Sequence, residues 1–263
     1  MSSRAVIGSG PAPAIRATAA LAAMELRLAL RRGENLLVMV VIPVAVLAFF
    51  ANLGIGPLGT GPKAVAALLP GTMALAIIAT SLVSLGISTG YERSYGVLKR
   101  LGGAPIARWS IVAAKIGAVL VIEVIQLTLL AVVAIAVLGW LPPASPDLLR
   151  RSVLLLTGLG LGTMAFAGLG LLMAGRLRAE ATLALANGLF LGFLMLGGVI
   201  LPLDHLREPL ATIGSFLPSA ALTDILKAAL AESAGGELLR PLVVLVVWAL
   251  AATALAARHF RWE

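Results

Sequence analysis

The sequence contains no cysteine and has few charged residues. Without cysteine the chain has no disulfide, no thiolate nucleophile and no cysteine metal ligand. Only 12% of the 263 residues are charged and 60% are hydrophobic, whereas a typical soluble domain is about 25% charged and about half apolar. So few charges would not cover the surface of a soluble protein of this size. The composition therefore indicates an integral membrane protein.

The sequence also lacks the common motifs of nucleotide hydrolysis and metalloprotease chemistry. It has neither a G-x-x-x-x-G-K-[ST] loop, which would cradle phosphates, nor an H-E-x-x-H zinc motif. Its two histidines, His205 and His259, fall outside the apolar segments and beside no candidate nucleophile. We therefore expect no catalytic residue, no metal site and no bound cofactor in this chain.

What the sequence does contain is a series of long apolar runs. A helix needs about 20 predominantly apolar residues to cross the hydrocarbon of a bilayer. Six segments meet that requirement: 36–55, 64–89, 111–138, 152–174, 181–201 and 241–257. We therefore predict an all-α integral membrane protein, with a single transmembrane domain over 1–263 that has six spans.

The positive charges predict the orientation of these spans. Cytoplasmic loops carry the excess of Lys and Arg. With a cytoplasmic N-terminus, 14 of the 20 Lys and Arg residues fall on the cytoplasmic side or at its boundary, and six fall outside. We therefore expect both termini to be cytoplasmic, in the cytoplasmic membrane of a bacterium. The net charge of +8 then reflects topology and attraction to anionic membrane lipids, and requires no nucleic acid.

Two segments outside the spans are also predicted to be helical. Residues 15–34 are predicted to form an interfacial helix on the inner leaflet, although Glu25 and Arg32 point away from its basic side. Residues 202–240 are predicted to be extracytoplasmic and to include a short amphipathic helix that packs back on the membrane surface. The apolar residues of that helix recur at helical spacing: Leu222, Ile225, Leu226, Ala229 and Leu230.

Glu123 is the only acidic residue deep within a predicted span. A carboxylate at that depth costs about 2.5–3.5 kcal/mol on insertion scales, so it is expected to face protein or water. One interpretation is a contact with substrate or a proton. The other, which we favour, is an interhelical hydrogen bond, with Gln126 as a candidate partner.

A basic, helix-like patch, YERSYGVLKRLGGAPIARWS, separates the second and third spans. A helix starting near Tyr91 would place Tyr91, Tyr95 and Leu98 on one stripe and would end at Gly102 and Gly103. We therefore expect a short amphipathic helix at the cytoplasmic surface. The residues alone leave two interpretations open, namely a docking element for a partner or a basic loop lying on lipid head groups.

The order of these segments resembles the membrane subunit of type-2 ATP-binding-cassette (ABC) exporters. In that family the loop between the second and third spans looks like E-R-x-x-G-x-L-x-R-L-x-x-x-P-x-x-R. The matching residues here are Glu92, Arg93, Gly96, Leu98, Arg100, Leu101, Pro105 and Arg108. A second similarity is the outer sequence GGVILPLDHL followed by SFLP. Ser94 departs from the pattern, because the family often has a second acid there.

The resemblance implies a transport subunit that is energised by a separate ATPase. Residues 91–104, with Tyr91 and Lys99 beside the matched positions, would form a coupling helix seated in the ATPase subunit. A second contact would come from Arg176 and Arg178. ATP and Mg would be bound by that partner, and a second copy of this chain or a similar permease would complete a dimer.

The resemblance also implies a substrate pathway between the first, second and fifth spans. Small or polar positions in these spans are the candidate pathway residues: Thr72, Thr80, Ser84, Asn187 and Gly188. Since they are few, the expected substrate is hydrophobic or amphiphilic, such as a drug, including an antibiotic, a natural product or a lipid.

Two other functions are compatible with the sequence. An ion-coupled secondary transporter or channel would usually have several intramembrane ionisable residues and inverted repeats, whereas Glu123 is nearly alone here. A membrane partner that does not itself transport is the third possibility.

Overall fold

The protein is described by a computed structural model over residues 14–31, 33–53, 59–102, 108–142, 147–199, 207–230 and 237–259. Within these ranges the chain is all-helical, as predicted, and has no β-strand. The helices are α1 (Ala14–Arg31), α2 (Gly33–Leu53), α3 (Pro62–Ile78), α4 (Leu85–Ser94), α5 (Val97–Gly102), α6 (Arg108–Ala136), α7 (Leu148–Ala174), α8 (Ala179–Leu196), α9 (Leu210–Gly214), α10 (Pro218–Leu230) and α11 (Leu239–His259). A π-helical segment, Ala79–Ser84, joins α3 to α4.

Each of the six predicted spans falls on a helix of the structure. Five helical stretches in the described ranges are long and apolar enough to cross a membrane: Pro62–Ser94, Trp109–Ala136, Leu148–Ala174, Ala179–Leu196 and Leu239–His259. The first predicted span falls on α2, whose apolar part Val41–Leu53 is described with its side chains. The largest boundary differences are at the second span, which continues to Ser94, and at the fifth, which ends at Leu196. The chain is therefore a multi-pass membrane protein.

Helix α7 lies at the centre of the bundle, where its glycines allow neighbouring backbones to approach. A Cβ at Gly168 would lie 2.7 Å from the backbone of Ala252 and Thr253 in α11. A Cβ at Gly170 would lie 2.8 Å from the Leu82 carbonyl oxygen in the π-helical segment. Because real Cβ atoms do not approach backbone this closely, α7 packs against both elements only with glycine at these positions.

The amphipathic helix predicted in the outer segment is α10, and its apolar face packs on the helical bundle. Its apolar residues Leu222, Ile225 and Leu226 are fully buried in the core, against α7 and α3. A Cβ at Gly162 would contact both methyl carbons of Leu222. Glycines on α7 thus leave room for the α10 side chains, and the apolar face of α10 contacts protein. Residues 200–206 and 231–236 of the predicted outer segment lie outside the described residues.

Helix α1 packs along α6 and has no buried residue of its own. It lies at the end of the bundle where α4, α7 and α11 end and where α6 and α8 begin, an arrangement that follows from the antiparallel order of the spans. We call this the α1 end of the bundle.

Candidate functional site

The basic patch at the α1 end has a different helical structure from the one predicted. No helix begins near Tyr91, because α4 continues the second span to Ser94. The helix breaks at Tyr95 and Gly96, where Gly96 has φ +72°, and α5 begins at Val97. A left-handed residue cannot continue an α-helix, and glycine adopts that conformation without the cost of a Cβ. The last turn of α4, the Tyr95–Gly96 break and α5 form what we call the docking turn (91–102).

The predicted stripe of Tyr91, Tyr95 and Leu98 is split by this break. The Tyr91 and Tyr95 rings remain neighbours, with stacked centroids 6.1 Å apart, and Tyr95 is 75% exposed. Leu98 instead turns into the bundle, where it is fully buried in a small apolar cluster with Val112 and Leu171. The prediction that the three side chains share one face is therefore wrong, because Gly96 resets the helical phase between them.

The outward-facing side chains of the docking turn include two cations. Tyr95, Val97, Lys99 and Arg100 are exposed. Pro105 lies outside the described residues, as do the side chains of Leu101 and Arg108.

Arg93 turns inward and connects the docking turn to the end of α7. Its guanidinium donates hydrogen bonds to the carbonyl oxygens of Ala174, at 2.9 Å, and Leu177, at 3.0 Å. Carbonyls at a helix C-terminus have no partner within their own helix, and a cation there is also favoured by the helix dipole. The loop that follows α7 carries the second predicted contact, Arg176 and Arg178, and both are exposed. Arg93 therefore braces the two predicted contact surfaces against each other.

Glu92 also turns inward, toward a lysine of the third span. The Lys115 ammonium lies 2.6 Å from the Glu92 carboxylate and 2.8 Å from that of Glu25 in α1. Only 1% of the Lys115 side chain is exposed, so the two carboxylates stabilise an ammonium that would be costly to bury alone. This contact explains why Glu25 points away from the basic side of α1. Sequence reasoning missed Lys115 as a site residue, although a lone lysine in IVAAKIGAV of a predicted span is an available signal.

A cavity of about 620 Å³ opens between α2, the second span and α8. Its apolar lining includes Pro43, Val83 and Phe190. Its polar lining residues lie along the second span, in the docking turn and on α8: Ser84, Ser88, Tyr91, Glu92, Tyr95 and Asn187. The cavity thus begins among the apolar spans and extends to the docking turn, whose tyrosines form part of its wall.

The predicted pathway residues divide between this cavity and other places. Ser84 and Asn187 line it. Thr72 lines a separate cleft of about 50 Å³ near Val199. Thr80 is not among the described residues that line either space, and it donates a hydrogen bond of 3.0 Å to the side-chain oxygen of Gln126. Gly188 is exposed and is not among the described residues that line either space.

Glu123 lies in a polar cluster behind the cavity wall. Its carboxyl group is fully buried and hydrogen-bonded to the hydroxyls of Ser81 and Thr163. These bonds join the third span to the second and fourth spans, as expected for an interhelical contact, but the predicted partner Gln126 bonds Thr80 instead. Glu123 is not among the residues that line the cavity. Thr80 and Ser81, whose hydroxyls bond Gln126 and Glu123, both belong to the π-helical segment. Segments of this kind are often found at functional sites.

Comparison with known proteins gives a family for this arrangement. No curated protein matches the chain significantly. The family model described as "ABC-2 type transporter" matches residues 16–230, a range that includes nearly all of α1, the docking turn, Lys115 and the residues that line the cavity. The protein therefore belongs to the ABC-2 type transporter family, as a membrane permease subunit of the kind that works with an ATPase subunit.

Proposed function

We propose that this permease exports a hydrophobic or amphiphilic substrate across the cytoplasmic membrane of a bacterium, as a dimer driven by a separate ATP-hydrolysing subunit. The observation that carries the proposal is that Tyr91 and Tyr95 each belong to two features of the protein at once. They belong to the docking turn and also line the cavity. A displacement of the turn by a docked ATPase therefore changes the shape of the cavity directly.

The docking surface that we propose consists of the exposed part of the turn with the neighbouring loop. Lys99 and Arg100 on α5, with Arg176 and Arg178 after α7, give it four exposed cations. Such a surface suits a partner groove that carries acidic side chains. Glu92 and Arg93, in contrast, are bonded within the chain. We assign them the role of bracing the turn, so that a push on α5 moves the second span and the end of α7 together.

The lining of the cavity supports an amphiphilic substrate. Ile42, Leu75 and Ile87 add to its apolar wall, and the polar groups are concentrated toward the docking turn. Pockets of this size, mostly apolar with a few polar groups, are typical of small-molecule sites. We assign the α1 end to the cytoplasmic side, since most of the Lys and Arg residues fall there. Substrate would then enter from the cytoplasm or the inner leaflet and leave outward.

The position of Glu123 disfavours the ion-coupled alternative. An ion-coupling carboxylate needs access to a water-filled path. Glu123 is fully buried, is held by two hydroxyls and is not part of the cavity lining. Its contacts connect three spans, which is a structural role.

The experiment that tests the proposed function is purification of the complex from native membranes in a mild detergent. We expect an ATPase with a phosphate-binding loop to co-purify in a one-to-one ratio. The double variant Lys99→Glu/Arg100→Glu should lose that ATPase while still inserting in the membrane. A matched control is Lys63→Glu/Arg207→Glu, because both residues are exposed and lie away from the α1 end. Retention of the ATPase by the docking-turn variant, or equal loss in both variants, would contradict the proposed docking surface.

A further inference from the structure

The cavity has a distinct charge pattern at its docking-turn end. Among the described residues that line it, Glu92 is the only charged one. The other polar lining groups are neutral hydroxyls and the Asn187 amide. A bound molecule would therefore meet one carboxylate, at one end of a mostly apolar space.

The Glu92 carboxylate is only partly neutralised by its neighbour. One of its oxygens lies 2.6 Å from the Lys115 ammonium, and that ammonium is shared with Glu25 at 2.8 Å. Two carboxylates facing one ammonium leave one formal negative charge. Lys115 is not part of the cavity lining, whereas Glu92 is. Of the two carboxylates that share this negative charge, Glu92 is thus the one that belongs to the cavity lining.

The nearby cations of the docking turn are directed elsewhere. Arg93 donates to the carbonyl oxygens of Ala174 and Leu177. Lys99 and Arg100 are exposed on α5, beyond the Gly96 break, and do not line the cavity. Among the described residues, no cationic side chain therefore competes for Glu92 from within the cavity.

Two aromatic residues line the cavity together with Glu92. Tyr91 precedes Glu92, and its ring stacks on that of Tyr95, with centroids 6.1 Å apart and planes 28° from parallel. Both residues line the cavity. Aromatic faces attract cations through the ring quadrupole, and the attraction increases where water is excluded. Aromatic rings beside a carboxylate suit a positively charged group whose hydration is weak.

We propose that the cavity selects amphiphilic cations, with the charged group at Glu92, Tyr91 and Tyr95 and the apolar body toward Val83 and Phe190. This inference rests on the proposed function, in that it takes the cavity to be the substrate site. It narrows the substrate class from hydrophobic or amphiphilic molecules to lipophilic cations, such as tertiary amines and quaternary ammonium or phosphonium ions.

The test is equilibrium binding to the full chain, purified in lipid nanodiscs, with empty nanodiscs as background. The probes are tetraphenylphosphonium and tetraphenylborate, which match in shape and differ in the sign of the charge. We expect the wild-type protein to bind the cation in preference to the anion. Glu92→Gln should weaken binding of the cation about tenfold and leave binding of the anion unchanged or stronger. The double variant Tyr91→Leu/Tyr95→Leu should weaken binding of the cation by a similar factor. It provides a second test if Glu92→Gln folds poorly.

Two control variants separate a local effect from a general change of charge. Glu25→Gln removes the other carboxylate from Lys115 without changing the cavity lining. It should weaken binding of the cation less than Glu92→Gln does. Lys63→Gln lies outside both the cavity and the docking turn and should have no effect. Equal binding of the two probes, or an undiminished affinity for the cation in both the Glu92 and the tyrosine variants, would overturn the inference.

The outcome is independent of the docking test, because binding is measured without an ATPase. If the ATPase co-purifies but binding of the cation does not depend on Glu92, the export proposal would stand and the substrate class would be rejected. If instead the cation binds through Glu92 but no ATPase co-purifies with the chain, the substrate class would be supported and the export proposal would be rejected.

Discussion

The Lys115 ammonium lies 2.6 Å from the Glu92 carboxylate, and this contact joins the third span to the docking turn. Because Glu25 binds the same ammonium, α1 is held in the same group. Three segments that are far apart in sequence therefore meet at one buried charge. A movement of the docking turn acts on α1 and on the third span through this contact.

Loss of Lys115 should destabilise the α1 end. Lys115→Met keeps the length of the side chain but leaves Glu25 and Glu92 without their shared cation. Removal of one partner from a buried ion pair costs about 3–5 kcal/mol, and we expect the lower end because both carboxylates are partly exposed. The thermal unfolding temperature of the purified protein measures the effect. Lys115→Arg should recover part of the loss.

The matched control for that variant is Lys227→Met. Lys227 and Asp224 form an ion pair of 3.8 Å in α10, with both side chains more than 40% exposed. An exposed pair contributes about 0–1 kcal/mol, so little change is expected. Equal destabilisation by the two methionine variants would show that the burial of Lys115 does not determine how much its ion pairs contribute to stability.

Gly96→Ala should alter the docking turn without a steric clash. Gly96 has φ +72°, and a Cβ there would meet no atom within 4 Å. An alanine held in the left-handed region costs about 1–2 kcal/mol, so the turn is expected to relax toward a continuous helix and to move α5. We predict that the protein inserts normally and that less ATPase co-purifies with it. Gly160→Ala is the control, since that helical glycine also has open space and an ordinary φ. Full retention of the ATPase by Gly96→Ala would show that the break is not needed for docking.

Gly168→Ala should destabilise the packing of α7 against α11. Its Cβ would lie 2.7 Å from backbone atoms of Ala252 and Thr253, so the two helices must separate. Overpacking of this kind costs about 1–3 kcal/mol. We expect a lower unfolding temperature and faster proteolysis in detergent. Gly192→Ala meets nothing within 4 Å and should behave as wild type. A stable Gly168→Ala protein would mean that α11 does not pack closely on α7.

Apolar runs are sufficient to predict the helices, because a span must satisfy its own backbone in the bilayer. The six spans follow from that requirement, whereas the helix at 218–230 follows from the helical spacing of its apolar residues. The roles of Glu92 and Arg93 were less predictable. Their motif is local, but their partners Lys115, Ala174 and Leu177 are more than 20 residues away in sequence. A pattern of neighbours does not specify which of two adjacent charged residues turns inward.

The break in the docking turn shows a similar limit. The sequence contains Gly96, Gly102 and Gly103, and any of them is able to end a helix. The break falls at Gly96 because Thr89 and Gly90 are still buried, so that α4 continues the packed second span past the predicted end. Likewise, the Ser81 partner of Glu123 lies in the π-helical segment, for which the sequence has no reliable signal.

The final prediction separates a structural from an ion-coupling role for Glu123. Glu123→Gln keeps a group that hydrogen-bonds to Ser81 and Thr163 but removes the ability to ionise. ATP-driven export of a lipophilic cation should then stay within about twofold of wild type. Glu123→Leu leaves the buried Ser81 hydroxyl without this partner, at a cost of about 1–3 kcal/mol, whereas the Thr163 hydroxyl keeps its bond to the Leu159 carbonyl. The variant should lower both the unfolding temperature and transport. The measurement is uptake into inverted vesicles with ATP, with and without an ionophore that collapses the proton gradient. Loss of transport in a stably folded Glu123→Gln protein, together with inhibition by the ionophore, would establish the ion-driven mechanism instead, because only a titrating carboxyl distinguishes Glu123 from glutamine at this position.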